Sequence, residues 1–242
     1  GDEFDQLAHN LNAMLDRIGD LMRGMRQVAN GIAHDLRSPI SRLRARLEVT
    51  LLGEAGPDEY RHAVEETIAE TDAILETFNA LLGISLAESR ALRDDFAEIN
   101  LAALVTDAAE LYQPLAEEKR QRVSVETEAG LAILGNHRLL SQAVANLLDN
   151  AVKYTPAGGT VSIMAASGEA GPEIVVADDG PGIPPDFRDK AVRRFSRLEA
   201  SRQAPGSGLG LSLVAAVVEL HDAALHLEDN GPGLRVGLRF AP

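Results

Sequence analysis

Asn146, Asn150, Lys153 and Tyr154 recur at steps of four, three and one within an otherwise apolar stretch. On a helix that spacing gathers them on one face. An Asn carbonyl there could ligate a hard divalent cation, and a lysine could meet phosphate as a point charge. Downstream, Asp178-Asp179-Gly180-Pro181-Gly182 ends an apolar run. A strand-end carboxylate at Asp178 could accept a hydrogen bond from an adenine amino group, while the glycines would let backbone approach a flat ligand. Gly206-Ser207-Gly208-Leu209-Gly210 then opens an apolar helix. The first N–H groups of such a helix have no internal partner and would face phosphates. Between these segments lie Arg193, Arg194, Arg197 and Arg202, which read as a lid over a polyphosphate. Taken singly, each segment is ambiguous, because glycine loops are often only turns and polar helix faces only surface. In this order they imply a nucleotide pocket.

Far upstream stands His34-Asp35-Leu36-Arg37-Ser38-Pro39. A lone helical histidine is more often structural. Beside a nucleotide pocket it becomes a candidate acceptor, since phosphoryl transfer needs a neutral imidazole nitrogen in line with the γ-phosphate. Pro39 has no N–H, so the Asp35 carbonyl should lose its intrahelical bond and the helix should bend one turn beyond His34. His9, His62, His137, His221 and His226 lack comparable neighbours.

The elements that would position these groups follow from periodicity. Phe4, Leu7, Leu11, Met14, Ile18, Leu21, Met25, Val28 and Ile32 alternate by three and four, a heptad seam that one helix cannot bury alone. It implies a parallel dimer. Val28, Ile32, Leu36 and Ile40 then recur at steps of four, with Leu43 and Leu47 beyond. The change broadens the apolar stripe, as a four-helix bundle requires. Gly53 to Asp58 carries turn chemistry. A second helix is expected from about Asp58 to Ser89, with Tyr60, Val64, Ile68, Ile74 or Leu75, Phe78 and Leu81 or Leu82 on one face. Its outer face is acidic (Glu65, Glu66, Glu70, Asp72), whereas the first helix is basic after the histidine (Arg37, Arg42, Arg44, Arg46). An antiparallel hairpin would bring those charges together.

The pattern weakens between Glu88 and Ile99, which marks a boundary. Beyond it we expect a helix from Asn100, strands near Val123–Thr127 and Leu131–Leu134, and a helix over Asn136–Tyr154. Strands Val161–Ala165 and Ile174–Ala177 follow, then a helix from about Gly208 to Leu220 and a terminal hairpin, Leu225–Glu228 with Leu234–Phe240. This mixture predicts an α/β sandwich, helices on one face of a largely antiparallel sheet.

Composition narrows the partners. The formal net charge of −14 argues against nucleic acid, which calls for a basic face. With no cysteine there is no disulfide or thiolate metal site, and no stretch approaches the ~20 apolar residues of a membrane span. Tryptophan is absent and aromatics are few, so Leu, Val, Ile and Ala must fill the core.

The ordered set Asn146-Leu-Leu-Asp-Asn150-Ala-Val-Lys153-Tyr154, Asp178-Asp-Gly180-Pro-Gly182-Ile, Arg194-Phe195-Ser-Arg197-Leu and Gly206-Ser-Gly208-Leu-Gly210-Leu resembles four boxes of sensor histidine kinases. These are the N box, the first glycine box, the F box and the second glycine box of the GHKL-type ATP-binding fold, shared with heat-shock chaperones, DNA gyrase and MutL. His34 to Pro39 is similar to the H-box of the same family. The resemblance implies ATP and Mg²⁺ as cofactors, with Asn150 as metal ligand and Asp178 as the adenine-binding carboxylate. Asn146, Lys153, Tyr154 and Arg197 would line the phosphate and ribose side, and Gly180, Gly182, Gly206, Gly208, Leu209 and Gly210 would shape the loops. It further implies His34 as phosphoacceptor and Asp35 as the base that orients it. Ser38 stands where Thr or Asn, tied to dephosphorylating the partner, is usual. Val192 and Ser196 stand where Phe and Tyr are common, and Asn136 replaces a frequent Asp; either can cap a helix.

Gly1-Asp2-Glu3-Phe4 and the heptad helix look like the second half of a HAMP linker. The expected domains are therefore 1–22, the end of that coiled-coil linker; 23–90, a dimerisation and phosphotransfer hairpin; and 96–242, the ATP-binding domain. The expected partners are a second copy of the chain and the receiver domain of a response regulator, with the membrane reached only through segments outside this chain. The expected location is the cytoplasmic portion of a bacterial inner-membrane receptor. Two other readings fit less of the sequence: a GHKL ATPase that drives clamping leaves the His34 hairpin unexplained, and the full set of pocket motifs weighs against a non-catalytic scaffold.

Overall fold

The computed structural model describes residues 40–52, 56–88, 93, 95–168, 170–193 and 208–241. The chain divides into two units, Gly1–Ala91 and Leu92–Pro242.

In the first unit, residues 40–52 are helical (α1) and Pro57–Glu88 forms a 32-residue helix, α2. Proline suits the first helical position because its missing N–H would be unpaired there anyway. Glu59 accepts a bond from the Gly56 N–H at 2.9 Å, a local brace for the same helix start. The opposite charges expected across the hairpin do meet. Arg46 lies 3.5 Å from Glu66 and 3.8 Å from Glu70. All three are at least partly exposed, so each pair contributes at most about 1 kcal/mol and orients the hairpin more than it holds it. The predicted coiled segment and its HAMP-like start fall outside the described residues, as do His34 to Pro39 and the bend expected at Pro39.

In the second unit the order is β1 (Ala97–Asn100), α3 (Leu101–Glu118), β2 (Arg122–Thr127), β3 (Ala132–Gly135), α4 (His137–Tyr154), β4 (Thr160–Gly168), β5 (Gly171–Asp178), α5 (Pro185–Ala191), α6 (Gly210–Leu220), β6 (Ala224–Asp229) and β7 (Leu234–Arg239). Five strands form one sheet in the order β2-β4-β5-β7-β6, and β1 pairs with β3 in a small second sheet. All pairings are antiparallel except β2 with β4. Leu101 of α3, Leu140, Val144 and Leu148 of α4, and Leu213 and Val217 of α6 are fully buried, as are Val161 and Ile163 of β4 and Ile174 of β5. Burying such side chains is worth roughly 1.5–3 kcal/mol each, so this layer of helices over sheet is the core of the domain.

Three features depart from the sequence expectation. Strand β1 lies where no strand is expected, because only Ile99 of its four residues is buried and so short a run shows no alternation. Helix α5 is a second addition; it has no buried residue and hence no apolar face to read. Helix α6 starts at Gly210 rather than Gly208, because Gly208 adopts φ +71°, a left-handed conformation that cannot continue a right-handed helix.

Candidate active site

Helix α4 is the platform of the site. Asn136 caps its start, the side-chain oxygen accepting from the Leu139 N–H at 3.1 Å. The Asn136 N–H in turn donates to His221 Nε2 at 2.9 Å. His221 is buried, stacks on Phe96 with ring centroids 4.7 Å apart, and its Nδ1 lies 2.7 Å from the Val217 carbonyl. That pairing makes Nδ1 the protonated nitrogen and leaves Nε2 as acceptor. Burial also pushes its pKa below the usual histidine value.

One face of α4 is buried from Leu139 to Val152, and Asn146, Asn150, Lys153 and Tyr154 lie half-buried along the margin of that face. Asn146 donates from Nδ2 to the Gln142 carbonyl at 2.8 Å. Among the described residues nothing pairs with the Asn150 amide. Lys153 Nζ stands 5.4 Å from the centre of the Tyr154 ring. The last carbonyls of α4 are capped from the α3–β2 turn. Lys119 Nζ donates to Val152 and Lys153 carbonyls at 2.9 and 3.3 Å, and Gln121 Nε2 to those of Val152 and Thr155 at 3.0 and 2.7 Å. These caps keep the end of α4 in place, and with it Asn150, Lys153 and Tyr154.

Strand β5 delivers Asp178 at its last position, only 8 % exposed. Its Oδ1 accepts from Gly180 N–H at 2.8 Å and Leu234 N–H at 3.4 Å, and among the described residues nothing bonds to Oδ2. Burial raises its pKa above the ordinary carboxylate range, more than the two N–H donors lower it, and neighbouring Asp179 adds to the rise. Asp179 itself points elsewhere, accepting from the Thr160 N–H at 2.8 Å. A β-carbon at Gly180 would come within 3.0 Å of the Tyr154 carbonyl oxygen, so the loop after β5 touches the end of α4. Gly182 has φ +68°, and a β-carbon there would lie 2.7 Å from the Gly233 carbonyl oxygen.

Helix α6 supplies the third part. Leu209 is fully buried before its start, and Gly210 stands against α4: a β-carbon would come 3.2 Å from Asn146 Oδ1 and 3.3 Å from Asn150 Nδ2. The structure thus brings Asn146, Asn150 and Gly210 together, and Tyr154 together with Gly180 and Asp178. His34, Asp35, Ser38, Arg197 and Gly206 lie outside the described residues. Lys119, Gln121 and His221 join the site unannounced by the sequence, since their partners are backbone groups with no pattern to detect.

The chain is similar to known proteins over both units. Residues 135–241 match the family described as histidine kinase-, DNA gyrase B- and HSP90-like ATPase, and residues 24–90 match the His kinase A (phospho-acceptor) domain. A solved structure described as the mycobacterial sensor histidine kinase MprB is 30% identical, with TM-score 0.53, and 97% of it is covered by 60% of this chain. The chain belongs to the sensor histidine kinases. Among the relatives of this kinase, the signal transduction histidine-protein kinase/phosphatase MprB of Mycobacterium leprae is 34% identical over 97% of the chain and 46% of its own length. The sensor protein IrlS of Burkholderia pseudomallei is 29% identical over 96% of the chain and 50% of its own length. The kinase therefore spans about half the length of these curated relatives. The histidine kinase AdeS of Acinetobacter baumannii has the same fold, with TM-score 0.70 over 86% of this chain and 97% of that one, at 21% identity. The second unit of this kinase carries an ATP-binding domain. Among the described residues no helix is long and apolar enough to cross a membrane.

Proposed function

We propose that this chain is the kinase core of a two-component receptor, in which ATP bound by the second unit phosphorylates His34. The observation that carries the reading is the meeting of Gly210 with Asn146 and Asn150 on α4, whose last residue, Tyr154, meets the Asp178 loop at Gly180. A base-reading carboxylate and a phosphate-facing helix start thereby flank one polar helix face, in a chain whose residues 24–90 match a phospho-acceptor domain.

In this reading Asp178 accepts from the adenine amino group, and Gly180 and Gly182 let the loop close on the base. Asn146, Lys153, Tyr154 and Arg197 line the ribose and phosphates, with Gly206, Gly208, Leu209 and Gly210 forming the turn and helix start that receive the polyphosphate. The Asn150 amide fits Mg²⁺ as a hard oxygen ligand, and the ion would neutralise phosphate charge. A nitrogen of His34 attacks the γ-phosphorus; the N–P bond forms as the bond from phosphorus to the departing ADP oxygen breaks. Asp35 takes the proton from the other imidazole nitrogen. The phosphoryl group then passes to an aspartate of a response-regulator receiver domain.

The active form is a homodimer. Tyr60, Val64, Ile68, Leu75 and Phe78 of α2 are between 38 and 56 % exposed in the single chain, which supports burial against a second copy. The domains are taken as 1–22, 23–90 and 96–242, and the chain as the cytoplasmic portion of a bacterial inner-membrane receptor. Dephosphorylation of the regulator is a second activity, favoured by the kinase/phosphatase name of the mycobacterial relative, with Ser38 placing the water.

Incubation with γ-labelled ATP and Mg²⁺ tests the reading. Acid-labile label is expected on the wild type and absent from His34→Ala and Asn150→Ala. Label that persists in His34→Ala, or phosphate release with no labelled protein, would overturn it in favour of another acceptor or a plain ATPase.

A further inference from the structure

The β6–β7 turn grips the loop that begins at Asp178. Asn230 Nδ2 donates to the Asp178 carbonyl at 2.7 Å, while the Leu234 N–H reaches Asp178 Oδ1 at 3.4 Å. Between them Gly233, at φ +114°, packs so closely that a β-carbon would overlap the Asp178 carbonyl oxygen. The Asn230 N–H donates to the Gly233 carbonyl at 3.2 Å, closing the turn on itself. The register explains why a side chain is needed. The β5–β7 ladder ends at Ala177 opposite Arg235, so the Asp178 carbonyl lies one residue past the last strand partner on that side. Asn230 supplies the donor that the ladder no longer can. At the far end of the same loop, Arg188 Nε donates to the Ile183 carbonyl at 3.0 Å and Nη1 to the Leu227 carbonyl of β6 at 3.3 Å.

We propose that Asn230 is a positioning residue for base selection, aiming the Asp178 carboxylate by fixing the carbonyl of the same residue. The inference rests on the reading of this pocket as an ATP site. One turn holds Asp178 at two points, carbonyl and Oδ1, so the residue cannot rotate about the strand and Oδ2 keeps one direction. Discrimination between an amino group and a carbonyl on a purine demands that direction, because a misaimed acceptor meets either edge equally badly. Asn230 itself sits on an exposed turn, 52 positions from its partner, and its side chain bonds to Asp178 rather than to any residue assigned to the phosphates.

The test is ATP and GTP affinity, by calorimetry on the full chain, for the wild type, Asn230→Ala and Asn230→Asp, with a thermal melt of each. Asn230→Asp keeps the shape but replaces the donor with an acceptor facing the Asp178 carbonyl. Donor-based positioning therefore predicts affinity for ATP in the order Asn, Ala, Asp. The ATP-over-GTP preference should fall about tenfold in the Asp variant, the factor for one lost aligned hydrogen bond. Asp binding better than Ala would assign the position to space filling, and an unchanged preference, with both nucleotides weakened alike, would assign it to stability; either overturns the proposal. A wild type that binds neither nucleotide would instead bring down the ATP reading beneath it.

Discussion

Gly210 faces Asn150 across the interface of α6 with α4, so closely that a β-carbon at position 210 would stand 3.3 Å from Asn150 Nδ2. The opposing atoms, Asn150 Nδ2 and, at 3.2 Å, Asn146 Oδ1, are both side-chain ends rather than backbone, and of the two Asn146 is tied to the Gln142 carbonyl. Gly210→Ala should therefore keep the fold, at a cost below about 1 kcal/mol, while moving the Asn150 amide from its place. Nucleotide affinity should fall about tenfold with Mg²⁺ present, measured by calorimetry beside a thermal melt. Unchanged affinity would separate Asn150 from the binding site.

Asp178 should show a conflict between binding and stability. Its pKa in the folded chain lies above the ordinary 3.8, so its contribution to stability is full below the unfolded value and is lost as pH rises through the folded one. At neutral pH the buried charge is a cost. Asp178→Asn should then melt at or above the wild-type temperature at pH 7, with the gap closing in acid, while ATP affinity falls roughly 10–100-fold. A lower melting temperature at pH 7 would contradict the argument.

His221 predicts a different pH dependence. Burial holds its pKa below 6.5, the Arg93 guanidinium lowers it further, and the Val217 carbonyl and Asp222 act the other way. A neutral ring is needed to accept from Asn136. Its stabilisation is thus complete above about pH 6.5 and declines as pH falls toward the lowered folded value. Melts of wild type and His221→Gln from about pH 5.5 to 8 should show a difference that shrinks with acid. A constant difference would mean that the ring titrates alike in the folded and unfolded chain, so that burial does not lower its pKa.

The caps on α4 should differ in weight. Gln121 is 5 % exposed and donates to two carbonyls, so Gln121→Ala should cost about 1–3 kcal/mol and weaken nucleotide binding through the displaced helix end. Lys119 is exposed, and Lys119→Met should cost under about 1 kcal/mol. Chemical denaturation of both variants checks the order. Equal costs would argue against the buried amide as the principal cap.

Much of this architecture is legible in the sequence, and the reason is local. Helix α4 has a capping Asn136, a continuous apolar face and polar groups at helical spacing, all within a single short segment. The acidic and basic faces of the hairpin are readable for the same reason, and Arg46 does meet Glu66 and Glu70. What stays hidden depends on distance along the chain or on missing contrast. Helix α5 buries nothing, and β1 buries one residue, so neither leaves a periodic trace. The grip of Asn230 on Asp178 joins a turn to a strand end, and Asn-Gly-Pro-Gly reads as an ordinary turn. The start of α6 shifts by two residues from its expected place because Gly208 looks the same in sequence whether it is helical or left-handed.

Strand β7 comes last in sequence among the strands, yet it sits inside the sheet, between β5 and β6. During translation β5 must wait for that neighbour, with one margin bare and its terminal aspartate without the turn that steadies it. A ribosome-bound chain should accordingly acquire ATP competence late, after its helical hairpin is already available to pair. In the proposed kinase reading, completion of the nucleotide pocket then follows emergence of the hairpin, so the order of the strands sets pairing before phosphorylation.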